Sequence, residues 1–245
     1  MNWKQMRRSF GTFDANLWRW QFLRQLRRQL GRLGLDRGLV RRTAESAQLI
    51  FNDHRGDAPD KQGVTVVGLN ALLLAAYREL IDAGVQRTVA FDAIRNTFRA
   101  CFHKPTQLAV RTVMLLSNDP VRLLQRVRLS RVFGRIFGKM FTFEDRYSEQ
   151  GVELRITKCG SNEFFIRHGE PLLTLIFCEW DQNWLGPIQS SRHAIKVDRP
   201  VTMATGAGHC EFHIGRSMEA KIVRDVTIQR RTEAMNALRE EDHPD

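Results

Sequence analysis

Four side chains able to do more than pack fall between residues 140 and 216: Cys159, Cys178, Asp181 and Cys210. A thiolate is both nucleophile and soft metal ligand, and a nearby carboxylate can move protons or hold a cation. Asp181 follows Cys178 by three residues, nearly one helical turn, so a helix presents both toward the same side. Taken singly, each cysteine reads as a small buried apolar residue, because free cysteine is among the most buried types. Convergence of three of them with one acid is what points to a site. Cys178 and Asp181 are the candidate catalytic pair, and Cys159, Cys210, Trp180 and His209 are candidate substrate contacts. His168 is a further candidate base.

A Cys210–His213 dyad is disfavoured. On a strand, Cys210, Phe212 and Ile214 share one face and His209, Glu211 and His213 the other, unless a bulge shifts the register. Cys159, Cys178, Cys210 and a histidine are also zinc-type donors, but their spacing matches no standard zinc pattern, and no metal or other cofactor is expected.

The elements that must position these groups follow from periodicity. Phe141, Phe143 and Tyr147 share one parity, Gln150-Gly151 makes a turn, and Val152, Leu154 and Ile156 alternate with Glu153, Arg155 and Thr157. This pattern predicts a hairpin with one apolar face. Glu170–Trp184 reads as one helix with Pro171 in its first turn and Gly186-Pro187 ending it. A second hairpin, Pro200–Thr205 and His209–Gly215, is joined through Gly206-Ala207-Gly208. Two hairpins and a helical crossover predict a four-stranded antiparallel sheet covered on one face, and with the helical N-terminal half an α+β fold.

Residues 40–139 are helical in pattern, with Asn70–Ala83 stopped at Gly84, then Gln86–Cys101. A long helix follows the Asn118-Asp119-Pro120 turn, with Leu124, Val127, Val132, Ile136 and Met140 inward and Arg122, Arg126, Arg131 and Arg135 outward. Residues 40–216 are therefore expected to form a single domain, helical over 40–139 and sheet-bearing over 140–216. Before it, residues 1–39 read as a basic amphipathic extension, in which Trp20, Leu23, Leu26, Leu30 and Leu33 recur at helical spacing and Trp3 and Trp18 suit an interface. After it, residues 217–245 read as a charged tail.

The net charge is +11, and the first fifty residues hold eleven Lys/Arg against three Asp/Glu. The excess suits docking of the N-terminal helix on an anionic membrane surface or a protein partner. Nucleic acid is not expected, because the aromatic residues lie in apolar stripes rather than among cations on strands. The apolar runs are too short to cross a bilayer, four scattered cysteines make no disulfide framework, and no export signal is visible, so a cytoplasmic protein at most peripheral to a membrane is expected. Oligomeric state is not specified by the sequence. The GxxxxGK, GxGxxG and HExxH signatures are absent, which disfavours ordinary nucleotide and metalloprotease chemistry.

The string Cys159, Phe177-Cys178-Glu179-Trp180-Asp181, Arg199-Pro200-Val201-Thr202-Met203-Ala204-Thr205-Gly206 and Cys210-Glu211-Phe212 resembles the L-2-amino-thiazoline-4-carboxylic acid hydrolase family. The resemblance implies ring-opening hydrolysis of a cyclic amidine, in which water adds to the carbon between sulfur and nitrogen to give an N-carbamoyl cysteine. It maps the family's cysteines and aspartate onto Cys159, Cys178, Asp181 and Cys210. On this reading Cys178 attacks the C=N carbon while Asp181 holds the amidinium and Arg199 receives the substrate carboxylate. Water activated by Asp181, with structural cysteines, is the competing mechanism. A non-catalytic small-molecule or zinc-binding module is the competing function.

Overall fold

A computed structural model describes residues 13–217 and 224–242 of the chain; Trp3 and the last three residues lie outside them. The helical half comprises α1 (Phe13–Arg32), α2 (Leu39–His54), α3 (Lys61–Asp82), α4 (Arg87–Ala100), α5 (His103–Leu116), α6 (Pro120–Val127) and α7 (Leu129–Phe137). The sheet module follows as β1 (Phe141–Ser148), β2 (Gly151–Cys159), α8 (Gly160–Arg167), α9 (Thr174–Trp180), α10 (Gln182–Gln189), β3 (Ile195–Val201) and β4 (Cys210–Arg216). A two-residue β5 (Arg224–Asp225) and α11 (Val226–Asp242) complete it. The fold is α+β, with the helices mostly N-terminal to the sheet.

The centre of the helical half is α3, buried nearly all round from Val66 to Ala76. Asp60 caps it, accepting from the Gly63 amide at 2.7 Å, and its second oxygen accepts from the Lys139 amide at 2.7 Å. One short carboxylate thus ends a loop, starts the core helix and ties it to the chain entering the sheet. The sequence pattern places this helix nine residues too late, because its first turns lack the Ala/Leu run seen after Asn70. Of the described helices, α3 alone is long and apolar enough to cross a membrane, and most of it is buried inside the protein. That is the composition of a core helix.

Of the stripe on α1, Leu23, Leu26 and Leu30 are buried with Phe22 in the same core as α3 and α4, whereas Trp20 and Leu33 are exposed. Arg24, Arg27, Arg28 and Arg32 stay in solvent. The residues expected as an extension are thus integrated into the helical core from Phe13 onward. The C-terminal segment is integrated too, since α11 buries Met235 and Leu238.

The sheet order is β1-β2-β4-β3-β5, with the first four strands antiparallel and β5 parallel to β3. The two hairpins therefore meet through β2 and β4, where Ile156 faces Cys210 and Gly151 faces Gly215. The first hairpin forms as the alternation predicts, whereas β3 begins at Ile195, five residues before the predicted Pro200, and Met203–Thr205 is a turn of 3-10 helix. Between Asp198 and Val201 the register slips, so that Arg199 and Pro200 together oppose Phe212. Proline has no amide to offer a ladder, which makes this a natural place for a bulge.

Two long helices expected from the sequence are broken. Arg128, at φ 54°, divides the segment after Pro120 into α6 and α7, and this rotates Val127 and Ile136 outward, leaving them 43% and 58% exposed. The crossover is a 3-10 turn at Pro171–Leu173 followed by α9 and α10, and it runs through Gly186-Pro187 to Gln189. An unpredicted helix, α8, precedes it. Gly160 opens α8 because a Cβ there would lie 3.0 Å from the Met140 carbonyl oxygen and nearer still to its side chain.

Candidate active site

The strand end, the helix and the turn after the bulge bring the sulfur-bearing residues together. Inward-facing residues of β3 are Ile195, Val197 and Arg199, the odd parity. The bulge then resets the alternation, so that Thr202, which would otherwise face outward, is fully buried. Its hydroxyl lies 3.6 Å from Cys178 Sγ and 3.4 Å from Cys210 Sγ, and it accepts the Ala204 amide at 3.4 Å. The Met203 amide donates to Cys210 Sγ at 3.3 Å. Gly206 adopts φ +87°, a conformation that L side chains rarely take, and so closes the turn that leads back to Cys210.

Asp181 sits at the joint between α9 and α10 with both oxygens engaged. Oδ2 accepts from Arg199 at 2.9 Å, and Oδ1 accepts from the Trp184 indole at 3.0 Å. Arg199 is 1% exposed at its side chain, donates its other terminal nitrogen to the Cys178 carbonyl at 2.8 Å, and stacks 4.3 Å above the Phe212 ring. A guanidinium is tolerated in this position because a carboxylate, a carbonyl and an aromatic face receive it. The fork expected for a substrate carboxylate is directed instead at Asp181 and the backbone of Cys178, where it fixes the carboxylate beside the thiol.

Cys210 lies within the electrostatic field of both Cys159 and Cys178. Burial pushes Cys159 up to about 12, against the opposing pull of the Asn162 and Ser161 amides at the start of α8. Burial also holds Cys178 well above the ordinary thiol value, with Arg199 pulling it down and Cys210 and Asp181 pushing it further up. Cys210 is raised by burial and lowered by the Thr202 hydroxyl and the Met203 amide. In the free protein these groups are neutral thiols at neutral pH. Cys101, the fourth cysteine, is separate: it lies in the helical core and donates to the Thr97 carbonyl at 3.3 Å.

Two further buried hydroxyls lie close to these cysteines in the sequence. Ser161 follows Cys159 by two residues, and Thr174 precedes Cys178 by four, on the same side of α9. Each is 1% exposed, and its side-chain oxygen makes no hydrogen bond. Buried hydroxyls are ordinarily satisfied, so these two are exceptions. Sequence reasoning missed both, as it missed Thr202 and the Trp184 indole. Pro200 inside a strand was the available signal for the first of these shifts.

Trp180 and His209 are not brought to the thiols by direct contact. Trp180 donates to the Cys101 carbonyl at 3.1 Å and packs on Trp18 in the helical core. His209 pairs with Glu211 at 3.1 Å on the outward side of the sheet, together with His213. The parity reading of β4 holds: Cys210 is buried inward and His213 is exposed outward. Among the described residues, the group whose ligand atoms gather within 4.8 Å is Glu153, Glu211 and His213 on that outer face, where Arg155 already pairs with both carboxylates at 2.8 Å. His168 lies away from the thiols, its ring against His54 and Phe164, and burial lowers its pKa.

The α+β domain thus brings Cys178, Cys210 and the salt-bridged Asp181 together at the junction of helix and sheet. The family model described as L-2-amino-thiazoline-4-carboxylic acid hydrolase matches residues 68–214, well over half of the chain. The protein belongs to that family. No curated protein and no solved structure matches it.

Proposed function

We propose that the protein acts on the C=N bond of a small cyclic amidine of the 2-aminothiazoline carboxylate type, adding water at its carbon and opening the ring at the C–S bond, at Cys178 and Asp181. The observation that carries this reading is the Asp181 carboxylate, held by Arg199 and Trp184 beside the half-buried Cys178. A carboxylate fixed from behind is pre-organised to receive an amidinium, because each of its oxygens retains a lone pair for the ligand.

Because Cys178 is a neutral thiol before substrate arrives, its proton must leave during the reaction. A neutral aminothiazoline can take that proton on its ring nitrogen, becoming the amidinium that Asp181 binds. The sulfur then attacks the carbon between nitrogen and sulfur, and the ring C–S bond breaks with the proton passing to the departing sulfur. Water adds to the resulting amidine thioether and the C–Sγ bond breaks, releasing the carbamoyl product, ammonia-free, and the Cys178 thiol. Each step conserves electrons and needs only water.

The test is turnover of 2-aminothiazoline-4-carboxylate by the full chain and its variants. Cys178→Ala is expected to lose at least about a thousandfold in kcat, and Asp181→Asn about a hundredfold with a raised KM. Mass spectrometry of quenched wild-type enzyme should show the substrate skeleton on Cys178. Wild-type rates retained by Cys178→Ala would eliminate the thiol mechanism, and absence of turnover or binding of any amidine would eliminate the substrate class. Because the neutral thiol supplies the proton that makes the amidinium, its raised pKa predicts that kcat/KM stays level past pH 9.0, the ordinary thiol value, and falls only at higher pH.

A further inference from the structure

Helices α5 to α7 present an unusual surface. Between residues 103 and 139 the chain carries eight Lys/Arg and one acid, Asp119. On α5, Met114 is buried, while Leu108, Val113, Leu115 and Leu116 are 67%, 45%, 63% and 81% exposed. The break at Arg128 adds Val127 and Ile136 to the exposed apolar residues of the next two helices. Monomeric proteins expose single leucines freely, but such a series on consecutive helices is a feature of binding surfaces.

The cations on the same helices lack internal partners. Among the described residues, Arg111, Arg126, Arg128, Arg131 and Arg135 make no ion pair, whereas Arg122 pairs with Asp119 at 3.4 Å. Arg192 donates to the Leu115 carbonyl at 3.2 Å, placing another cation beside the exposed leucines. The exposed Tyr147 donates to Asp145 and lies within the field of Arg128 and Arg131 as well. By contrast, most of the apolar face of α1 is already occupied by the core, which leaves Trp20 and Leu33 at its edge beside the arginines.

From these observations we propose that the outward side of α5–α7 docks on an anionic lipid bilayer. A bilayer interface accepts both components: the aliphatic residues enter the acyl boundary and the arginines meet acidic headgroups. Duplex DNA would satisfy the arginines alone and leave the leucines in water. The acids that touch these helices, Asp119 and Asp145, are engaged by Arg122 and by the Ser130 amide and hydroxyl, and lipid headgroups supply the charge that the remaining arginines lack.

The test is co-sedimentation of the full chain with vesicles of phosphatidylcholine alone or mixed with phosphatidylserine. Binding is expected to the mixed vesicles, to weaken steeply with salt, and to be negligible on phosphatidylcholine. A Leu108→Ser/Leu115→Ser/Leu116→Ser variant should bind at least about tenfold more weakly, and each of Arg126→Gln, Arg131→Gln and Arg135→Gln about fivefold more weakly. These residues are exposed, so unchanged thermal unfolding verifies the fold of each variant. An Arg24→Gln/Arg27→Gln/Arg28→Gln/Arg32→Gln variant should keep most of the binding. The proposal is overturned by equal binding to both vesicle types, by no binding at low salt, or by loss confined to the α1 variant. Duplex DNA bound more tightly than vesicles, with the leucine variant indifferent, would overturn it in favour of nucleic acid.

Discussion

Strand β4 carries two kinds of charge chemistry on its two faces. Inward, Cys210, Phe212 and Ile214 meet the helices, and the guanidinium lying on Phe212 is bound to Asp181 almost wholly out of water. Outward, Glu211 gathers Arg155, His209 and His213 at the solvent boundary. Both are ion-pair networks, yet they differ in what desolvation does to them. The inner pair cannot be replaced by water if one partner is lost, so it fixes geometry. The outer one can rehydrate and mainly adjusts stability with pH.

Removing Arg199 should therefore have the largest effect. Arg199→Met keeps most of the packing on Phe212 but leaves Asp181 without its buried cation, which is expected to cost about 3 kcal/mol or more. Urea unfolding measures this directly. The double variant Arg199→Met/Asp181→Leu should recover a large part of that stability while activity stays lost. A cost for Arg199→Met below about 1 kcal/mol would erase the distinction between the faces.

On the outer face the decisive variable is acid. Burial alone would raise Glu211, but hydrogen bonds from His213, His209 and Arg155 outweigh it and hold the carboxyl at about 2, against an ordinary 4.5. A depressed carboxyl contributes stability above its unfolded value, and that contribution fades as pH falls from about 4.5 toward 2. The shift corresponds to about 3 kcal/mol at most. Glu211→Gln should thus be destabilised by up to that amount at pH 7, and the gap from wild type should close by about pH 2. Thermal unfolding across this range checks it; a gap independent of pH would mean that shape, not charge, is what Glu211 supplies.

These faces also show which features were legible from sequence. Period-two alternation in β4 sufficed to separate Cys210 from His213, because one strand without a bulge obeys a local rule. The Cys178/Asp181 pair was legible for the same reason, from helical spacing. Thr202 was not: its inward orientation depends on the slip at Arg199-Pro200, set by pairing with a strand ten residues away rather than by its neighbours. Arg199 was identified as functional, but its partners come from α9 and the α9–α10 joint, so its orientation could not be read from β3 alone. The breaks at Arg128 and after Trp180 likewise interrupt a helical periodicity that runs on through both, so the local pattern does not show them.

Thr202 gives the smallest expected effect and the finest test of the inner face. Thr202→Val preserves the branched shape and removes only the hydroxyl shared by Cys178 and Cys210, so stability should fall by about 1 kcal/mol. That hydroxyl lowers both thiols in the present structure. Without it the Cys178 thiol must rise, and the alkaline limb of kcat/KM should move to higher pH. Thr202→Ser should restore the limb, because it returns the oxygen while losing only a methyl group. A hydroxyl that merely filled space would leave the pH profile where it is in both variants. Displacement of the limb in the valine variant and its return in the serine variant would place the bulge, through Thr202, in control of the thiol's acidity.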